Sequence, residues 1–296
     1  MIHKIDPIVD CVFKALLGSE SNKNLLIHFL NAVIGFEGDD IITDVVILNP
    51  YNEREFIDDK LSIVDIKAKS QNDFKYQVEI QLAVYPALPS RIIYNWCTIY
   101  HSQINKKEDY AQLKPVYSIW IIDTPLFKDI DTYHFKFGLN DLTNKISLSN
   151  QLSIQILQLS NFDENKSICN EAERWLYFFK QAANKDIDNL PDILKTEEMI
   201  QAMETLKDFS ENQRNYLLYQ SRIDKELELN TFKRMVREAE IQLAIQKEKL
   251  AIEQEKLAIE RQQREHEKLE KEKALREKEL YLKILKEKGI DVGDLE

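Results

Sequence analysis

Glycine and proline are scarce in this sequence, with 6 glycines and 7 prolines among 296 residues. Long flexible linkers are usually rich in such residues, so their scarcity argues against extended disordered segments. No uninterrupted apolar run approaches the roughly 18 residues that a membrane-spanning helix needs. The chain also lacks the phosphate-binding patterns GxxxxGK[ST] and GxGxxG and the GxSxG pattern of serine hydrolases. We therefore expect no membrane partner, no nucleotide-cradling loop and no serine-hydrolase site.

Cysteine is equally sparse, and the few that occur do not form a pattern. Cys11, Cys97 and Cys169 lie far apart without CxxC or Cys/His spacing, which predicts reduced thiols. The start MIHKIDPIVDCVFK lacks the profile of a signal peptide, so we expect a soluble cytoplasmic protein. The formal net charge of −11 argues against binding nucleic acid through bulk positive potential, although local basic groups could still do so.

The first 160 residues alternate helical and strand patterns. IVDCVFKALLG and NKNLLIHFLNAVIG space their apolar residues three and four apart, and each ends in glycine, as helices often do. A further helix is predicted for PSRIIYNWCTIYHSQI. Strands are predicted for ITDVVILNP, for a hairpin KLSIVDIKAKSQNDFKYQVEIQL, for VYSIWIID and for LSIQILQL. This alternation predicts an α/β fold built on a mixed sheet.

The rest of the chain has helical patterns. EAERWLYFFKQA and TEEMIQAMETLKDF are amphipathic, and Ser210 is a predicted N-cap for SENQRNYLLYQSRID. From 231 to about 288, neither glycine nor proline interrupts a long polar helix. Within it LAIQKEK, LAIEQEK and LAIERQQ repeat at the heptad length, but the d positions are mostly charged. A coiled-coil homo-oligomer and a single helix supported by salt bridges both remain open.

The hairpin at 60–82 carries the first sign of chemistry. Because side chains alternate along a strand, its polar residues share one face. A register with a turn over 70–74 sets Asp65 opposite Glu79, with Cβ atoms roughly 4.5–5.5 Å apart. The same register pairs Lys67 with Gln77 and Lys69 with Lys75.

Two carboxylates at this separation repel each other unless a proton, a cation or solvent intervenes. Asp65 and Glu79 could hold Mg²⁺ and leave coordination positions open for water and phosphate, with the Ile80 carbonyl as a further ligand. The alternative is a solvated strand face whose acidic residues bind nothing.

Several short motifs stand in an order typical of one family. They are D-x-x-F-K at 10–14, NLLIHFLNAVIG, Lys60 five residues before Asp65, VEIQL, R-x-x-Y at 91–94, VYSIWIID, ERWLYFF and AMETLKDFSENQRNYLLYQSR. Over roughly residues 5 to 225 the chain therefore resembles the recombination-promoting nuclease (Rpn) family, also described as PD-(D/E)XK nuclease family transposases.

The resemblance implies a restriction-endonuclease-like PD-(D/E)XK core, which we place over 1–165. The sequence patterns predict a helical extension over 166–230 and a long charged helix, a candidate coiled coil, over 231–296. It also implies Mg²⁺-dependent, or other divalent-cation-dependent, cleavage of DNA in recombination or mobile-element biology. The alternative function is a weakly active or inactive nuclease-fold scaffold that oligomerises or binds a partner through its C-terminal helix.

The resemblance also implies roles for individual residues. Asp65 and Glu79 become catalytic metal ligands. Asp10 matches the place of a further acidic ligand, although an acid at a helix start is also favoured by the helix dipole. Lys60 matches a phosphate contact, although it could simply end a loop.

The sequence departs from the parent motif at Gln81, which takes the position of its lysine and shares the catalytic role. Glutamine can orient a water molecule but supplies no charge. Lys67 or Arg91 is therefore our hypothesis for the missing positive charge at the phosphate.

Overall fold

The structure is a computed structural model, and it describes residues 4–48, 65–105, 108–185 and 187–287. The predicted phosphate contact Lys60 lies outside the described residues. None of the described helices has an apolar stretch that could cross a membrane.

The described strands form one six-stranded mixed sheet, which confirms the predicted α/β class. They are β1 (Val45–Leu48), β2 (Ile66–Ser70), β3 (Lys75–Gln81), β4 (Val116–Ile122), β5 (His134–Asn140) and β6 (Ser147–Gln158). The order across the sheet is β1-β2-β3-β4-β6-β5. The β3–β4 and β4–β6 pairs are parallel, and the other pairs are antiparallel. Strand β5 is not among the predicted strands.

The described part of the chain also contains six α-helices, of which the first five cover the two faces of the sheet. They are α1 (Asp10–Leu17), α2 (Lys23–Ile34), α3 (Leu88–His101), α4 (Glu171–Gln181), α5 (Glu197–Glu211) and α6 (Gln213–Glu287). The glycine ending α2, Gly35, has φ of 78°, a left-handed conformation that glycine adopts without a Cβ penalty. The predicted N-cap Ser210 is wrong, because this residue lies inside α5. Asn212 caps α6 instead, since its Oδ1 accepts from the Asn215 N–H at 3.1 Å.

Two apolar layers hold these elements together. The larger layer joins α1, α2, α4 and α5 to one face of the sheet, with Phe29 packed edge-on against the buried Trp175 ring. The smaller layer lies under α3, where Leu88, Ile92 and Trp96 contact the opposite face. The central strands are therefore covered on both sides, which decides the surroundings of their polar residues.

By contacts the chain divides into two units, one up to Lys225 and one from Glu226 onward. The first contains both apolar layers. The described part of the second, taken by itself, is the remainder of α6, and nearly all of its side chains are exposed. The three-part division at 165 and 230 stays a prediction.

Candidate active site

The β2–β3 hairpin has the predicted register. Its pairs are Ile66–Val78, Lys67–Gln77, Ala68–Tyr76 and Lys69–Lys75. Extending this register by one residue sets Asp65 opposite Glu79. The Ile80 N–H donates to Asp65 Oδ2 at 2.9 Å, which fixes this carboxylate against β3. The hairpin thus brings the two predicted carboxylates together.

Glu79 lies inside the protein and not on a solvated face. Its side chain is 2% exposed, because α3 covers this face of the sheet. Oε2 accepts a hydrogen bond from Arg91 at 3.3 Å. Oε1 is buried without a hydrogen-bond partner in the described part of the chain. The open alternative of a solvated strand face is therefore wrong at Glu79.

The protonation of Glu79 follows from these surroundings. Burial raises the pKa of its carboxyl to about 8, and the nearby Asp65 charge adds to the rise. Arg91 and Lys14 act in the opposite direction. Without a bound cation, these surroundings therefore favour the protonated form of the carboxyl.

Arg91, in the first turns of α3, connects the residues at the end of β3. Its guanidinium donates to Glu79 Oε2, to Gln81 Oε1 at 3.2 Å and to the Tyr85 hydroxyl at 3.4 Å. It also lies over the Trp120 ring, 5.5 Å from the ring centroid. The structure therefore places Arg91 and Gln81 beside Glu79.

Lys14 is a site residue that the sequence analysis did not select. Its Nζ lies 3.1 Å from Asp65 Oδ1, and the two side chains are 40% and 14% exposed. The available signal was the D-x-x-F-K motif, whose lysine is Lys14. The two carboxylates thus each have a cationic neighbour, one from α1 and one from α3.

Asp10 and Lys67 are the remaining predicted site residues in the described part of the chain. The Asp10 carboxylate accepts from the Cys11 N–H at 2.8 Å and lies 3.4 Å from Arg222 Nε. Across the described ranges, no three His, Cys, Asp or Glu side chains are grouped to hold a metal, so Asp10 is not brought together with Asp65 and Glu79. Lys67 is half-buried and lies opposite Gln77. The metal role of Asp10 and the phosphate role of Lys67 stay predictions.

The residues present fit a hard divalent cation. Asp65 and Glu79 offer carboxylate oxygens from neighbouring segments, and the unpaired Oε1 of Glu79 is a buried acceptor without a donor among the described residues. Oxygen ligands with water completing the shell are the usual environment of Mg²⁺ in proteins. Asp65 and Glu79 would therefore hold the ion.

Comparison with known proteins agrees with this geometry. Residues 7–236 match the sequence model of a family described as PD-(D/E)XK nuclease family transposase. The match runs from before α1 into α6 and includes Asp65, Glu79 and Gln81, so the resemblance predicted from the motifs is confirmed. No curated protein and no solved structure gives a significant match.

Proposed function

Because the chain belongs to the PD-(D/E)XK nuclease family transposases, we propose that it is a Mg²⁺-dependent endonuclease that hydrolyses DNA phosphodiester bonds. Family membership indicates a nuclease-related or transposase-related function. The observation that carries the cation dependence is the buried Glu79 carboxyl, with its unpaired Oε1 beside Asp65. We extend the proposal to a role in DNA recombination or mobile-element transfer.

The residues around this pair have distinct tasks in the proposed reaction. Asp65 and Glu79 bind the cation, and activation of water as a Lewis acid is the chemistry that a bound divalent cation supplies. Arg91 holds the Glu79 carboxylate and the Gln81 side-chain carbonyl in fixed positions. Gln81 also donates to the Ala83 carbonyl at 3.0 Å, which leaves one amide N–H to orient a water molecule.

A scaffold without strong activity is the second candidate. Two observations favour it. Lys14 and Arg91 already contact the two carboxyl groups, so each of these groups has a cationic partner within the chain itself. In the second unit Leu243, Leu250 and Leu257 recur at the heptad interval and are exposed, which suits oligomerisation or a partner helix.

Nicking of supercoiled plasmid tests the first candidate. The purified chain is incubated with Mg²⁺ or EDTA, beside Asp65→Asn, Glu79→Gln and the control Asp44→Asn. Asp44 pairs with Lys23 at 2.9 Å outside the site, so its variant removes a comparable ion pair. We expect Mg²⁺-dependent nicking that falls at least about a hundredfold in both site variants, since metal ligation contributes several kcal/mol.

The outcomes separate the candidates. Equal nicking by all variants would indicate a contaminating nuclease. Absence of cleavage of plasmid, single-stranded DNA and RNA by the folded protein would favour the scaffold. A scaffold should also form a concentration-dependent oligomer in sedimentation equilibrium.

A further inference from the structure

The position that holds lysine in the parent motif is occupied by Gln81, so the site needs its positive charge from elsewhere. Charge that develops on a phosphate during hydrolysis is best stabilised by a fixed cationic donor. We propose, on the basis of the nuclease function above, that Lys14 of α1 is the catalytic cation that contacts the scissile phosphate. In this proposal Lys14 supplies, from α1, the positive charge that the lysine of the parent motif would supply from β3.

Arg91 is less suited to this task because its guanidinium is already engaged. It donates to Glu79, Gln81 and Tyr85 and lies over Trp120. Turning it toward a phosphate would leave the buried Glu79 carboxyl without its donor, which is costly in a low-dielectric surrounding. Arg91 is therefore a positioning residue.

Lys67 lies farther along the hairpin. Its pair in the register is Gln77, one same-face position away from Asp65 and Glu79. It also belongs to a group of lysines, since its charge helps to lower the pKa of Lys75. The phosphate role of Lys67 therefore stays a prediction.

Lys14 has both a fixed place and donors to spare. An ammonium carries three N–H donors, and the ion pair with Asp65 Oδ1 at 3.1 Å uses one of them. The side chain is 40% exposed, so a substrate can reach the other donors. The second oxygen of Asp65 accepts a hydrogen bond from the Ile80 N–H, which holds the carboxylate, and with it the Lys14 ammonium, at a fixed position beside β3.

Packing of α1 explains why Lys14 reaches Asp65. Phe13 and Leu17 are fully buried in the larger apolar layer and anchor the helix. The helix then ends at Gly18. A Cβ at Gly18 would lie 2.8 Å from the Lys14 carbonyl oxygen and 3.4 Å from Ile66 Cγ1. Because Gly18 permits this approach, α1 ends against the residue that follows Asp65.

Two measurements on the full chain test the proposal. The first is the rate of plasmid cleavage at saturating Mg²⁺, and the second is Mn²⁺ binding by calorimetry. The variants are Lys14→Gln and Lys14→Arg. Lys23→Gln is the matched control, because Lys23 also links a helix to an aspartate, at 2.9 Å, with 36% exposure. Thermal unfolding verifies that each variant is folded.

We expect Lys14→Gln to lower the maximal rate by about 100-fold, the usual effect of removing one donor to a developing charge. Its affinity for Mn²⁺ should stay equal or increase, because Lys14 competes with the cation for Asp65. Lys14→Arg should recover most of the rate, and Lys23→Gln should cleave like the wild type.

Three results would overturn the assignment. Wild-type cleavage by Lys14→Gln would remove Lys14 from catalysis. A loss of Mn²⁺ affinity that matches the loss of rate would show that Lys14 only holds Asp65. If Lys14→Gln fails to fold, Lys14→Met takes its place in both measurements, and wild-type cleavage by that folded variant would overturn the assignment. A wild-type chain that binds Mn²⁺ but cleaves no nucleic acid refutes the proposed function itself, and the role of Lys14 falls with it.

Discussion

Replacing Glu79 with glutamine should change how the stability of the cation-free protein depends on pH. The carboxyl has a pKa of about 8 in the folded chain, against an ordinary value of 4.5. At any pH between these two pKa values, the folded state binds one more proton than the unfolded state. The contribution of this group to stability is therefore fully present below about pH 4.5 and is lost as the pH rises to about 8.

The size of the change in stability follows from the difference between the folded and the ordinary pKa of Glu79. Each pH unit within this interval lowers the free energy of unfolding by about 1 kcal/mol. Glu79→Gln removes the titrating group and keeps the shape of the side chain. The wild type should therefore lose about 3 kcal/mol relative to Glu79→Gln between pH 5 and pH 8.

Urea denaturation in EDTA at pH 5, 6, 7 and 8 measures this difference. Other titrating groups are common to both proteins and cancel in the comparison. Mg²⁺ should stabilise the wild type more at pH 8 than at pH 6, because it binds the deprotonated carboxyl. Parallel stabilities of wild type and Glu79→Gln from pH 5 to 8 would show that the carboxyl titrates normally, and would refute the argument from burial.

Two further variants probe the surroundings of this carboxyl. Gln77→Met should leave the free energy of unfolding unchanged or raise it by about 1–3 kcal/mol, because both polar amide atoms of Gln77 are buried without partners among the described residues. A marked loss of stability in urea denaturation would contradict this. Arg91→Ala should move the titration of Glu79 to higher pH, since the Arg91 charge lowers the pKa of that carboxyl; an unchanged pH profile would show that Arg91 does not act on Glu79.

The hairpin could be predicted from the sequence because its pairing is local. Alternating side chains allow only registers that match odd positions with odd positions, and the short turn selects the one observed. The burial of the polar face could not be predicted in the same way. It depends on α3, which packs on this face through Leu88, Ile92 and Trp96 and places Arg91 against Glu79. Alternation along a strand does not reveal what covers each face.

Strand β5 is a second feature that was not predicted from the sequence. HFKFGLN places Phe135, Phe137 and Leu139 in alternation, yet Gly138 interrupts the segment and the pairing with β6 shifts between Phe137 and Leu139. Phe137 and Leu139 are also exposed, so burial does not reinforce the pattern. The alternation of Phe135, Phe137 and Leu139 is nevertheless a period of two, which favours a strand, so the pattern alone could have indicated this element.

The cationic neighbours of the carboxylates are the least predictable part of the site. Asp65 and Glu79 meet through one hairpin, but Lys14 reaches Asp65 only because buried Phe13 and the bare Cα of Gly18 set α1 against the start of β2. No spacing within a motif encodes that contact, since it depends on how distant segments pack. A motif search at position 81 finds glutamine and indicates a missing charge, whereas the fold places an ammonium beside the carboxylate pair from another element. The loss of the lysine from β3 is therefore weak evidence for an inactive protein.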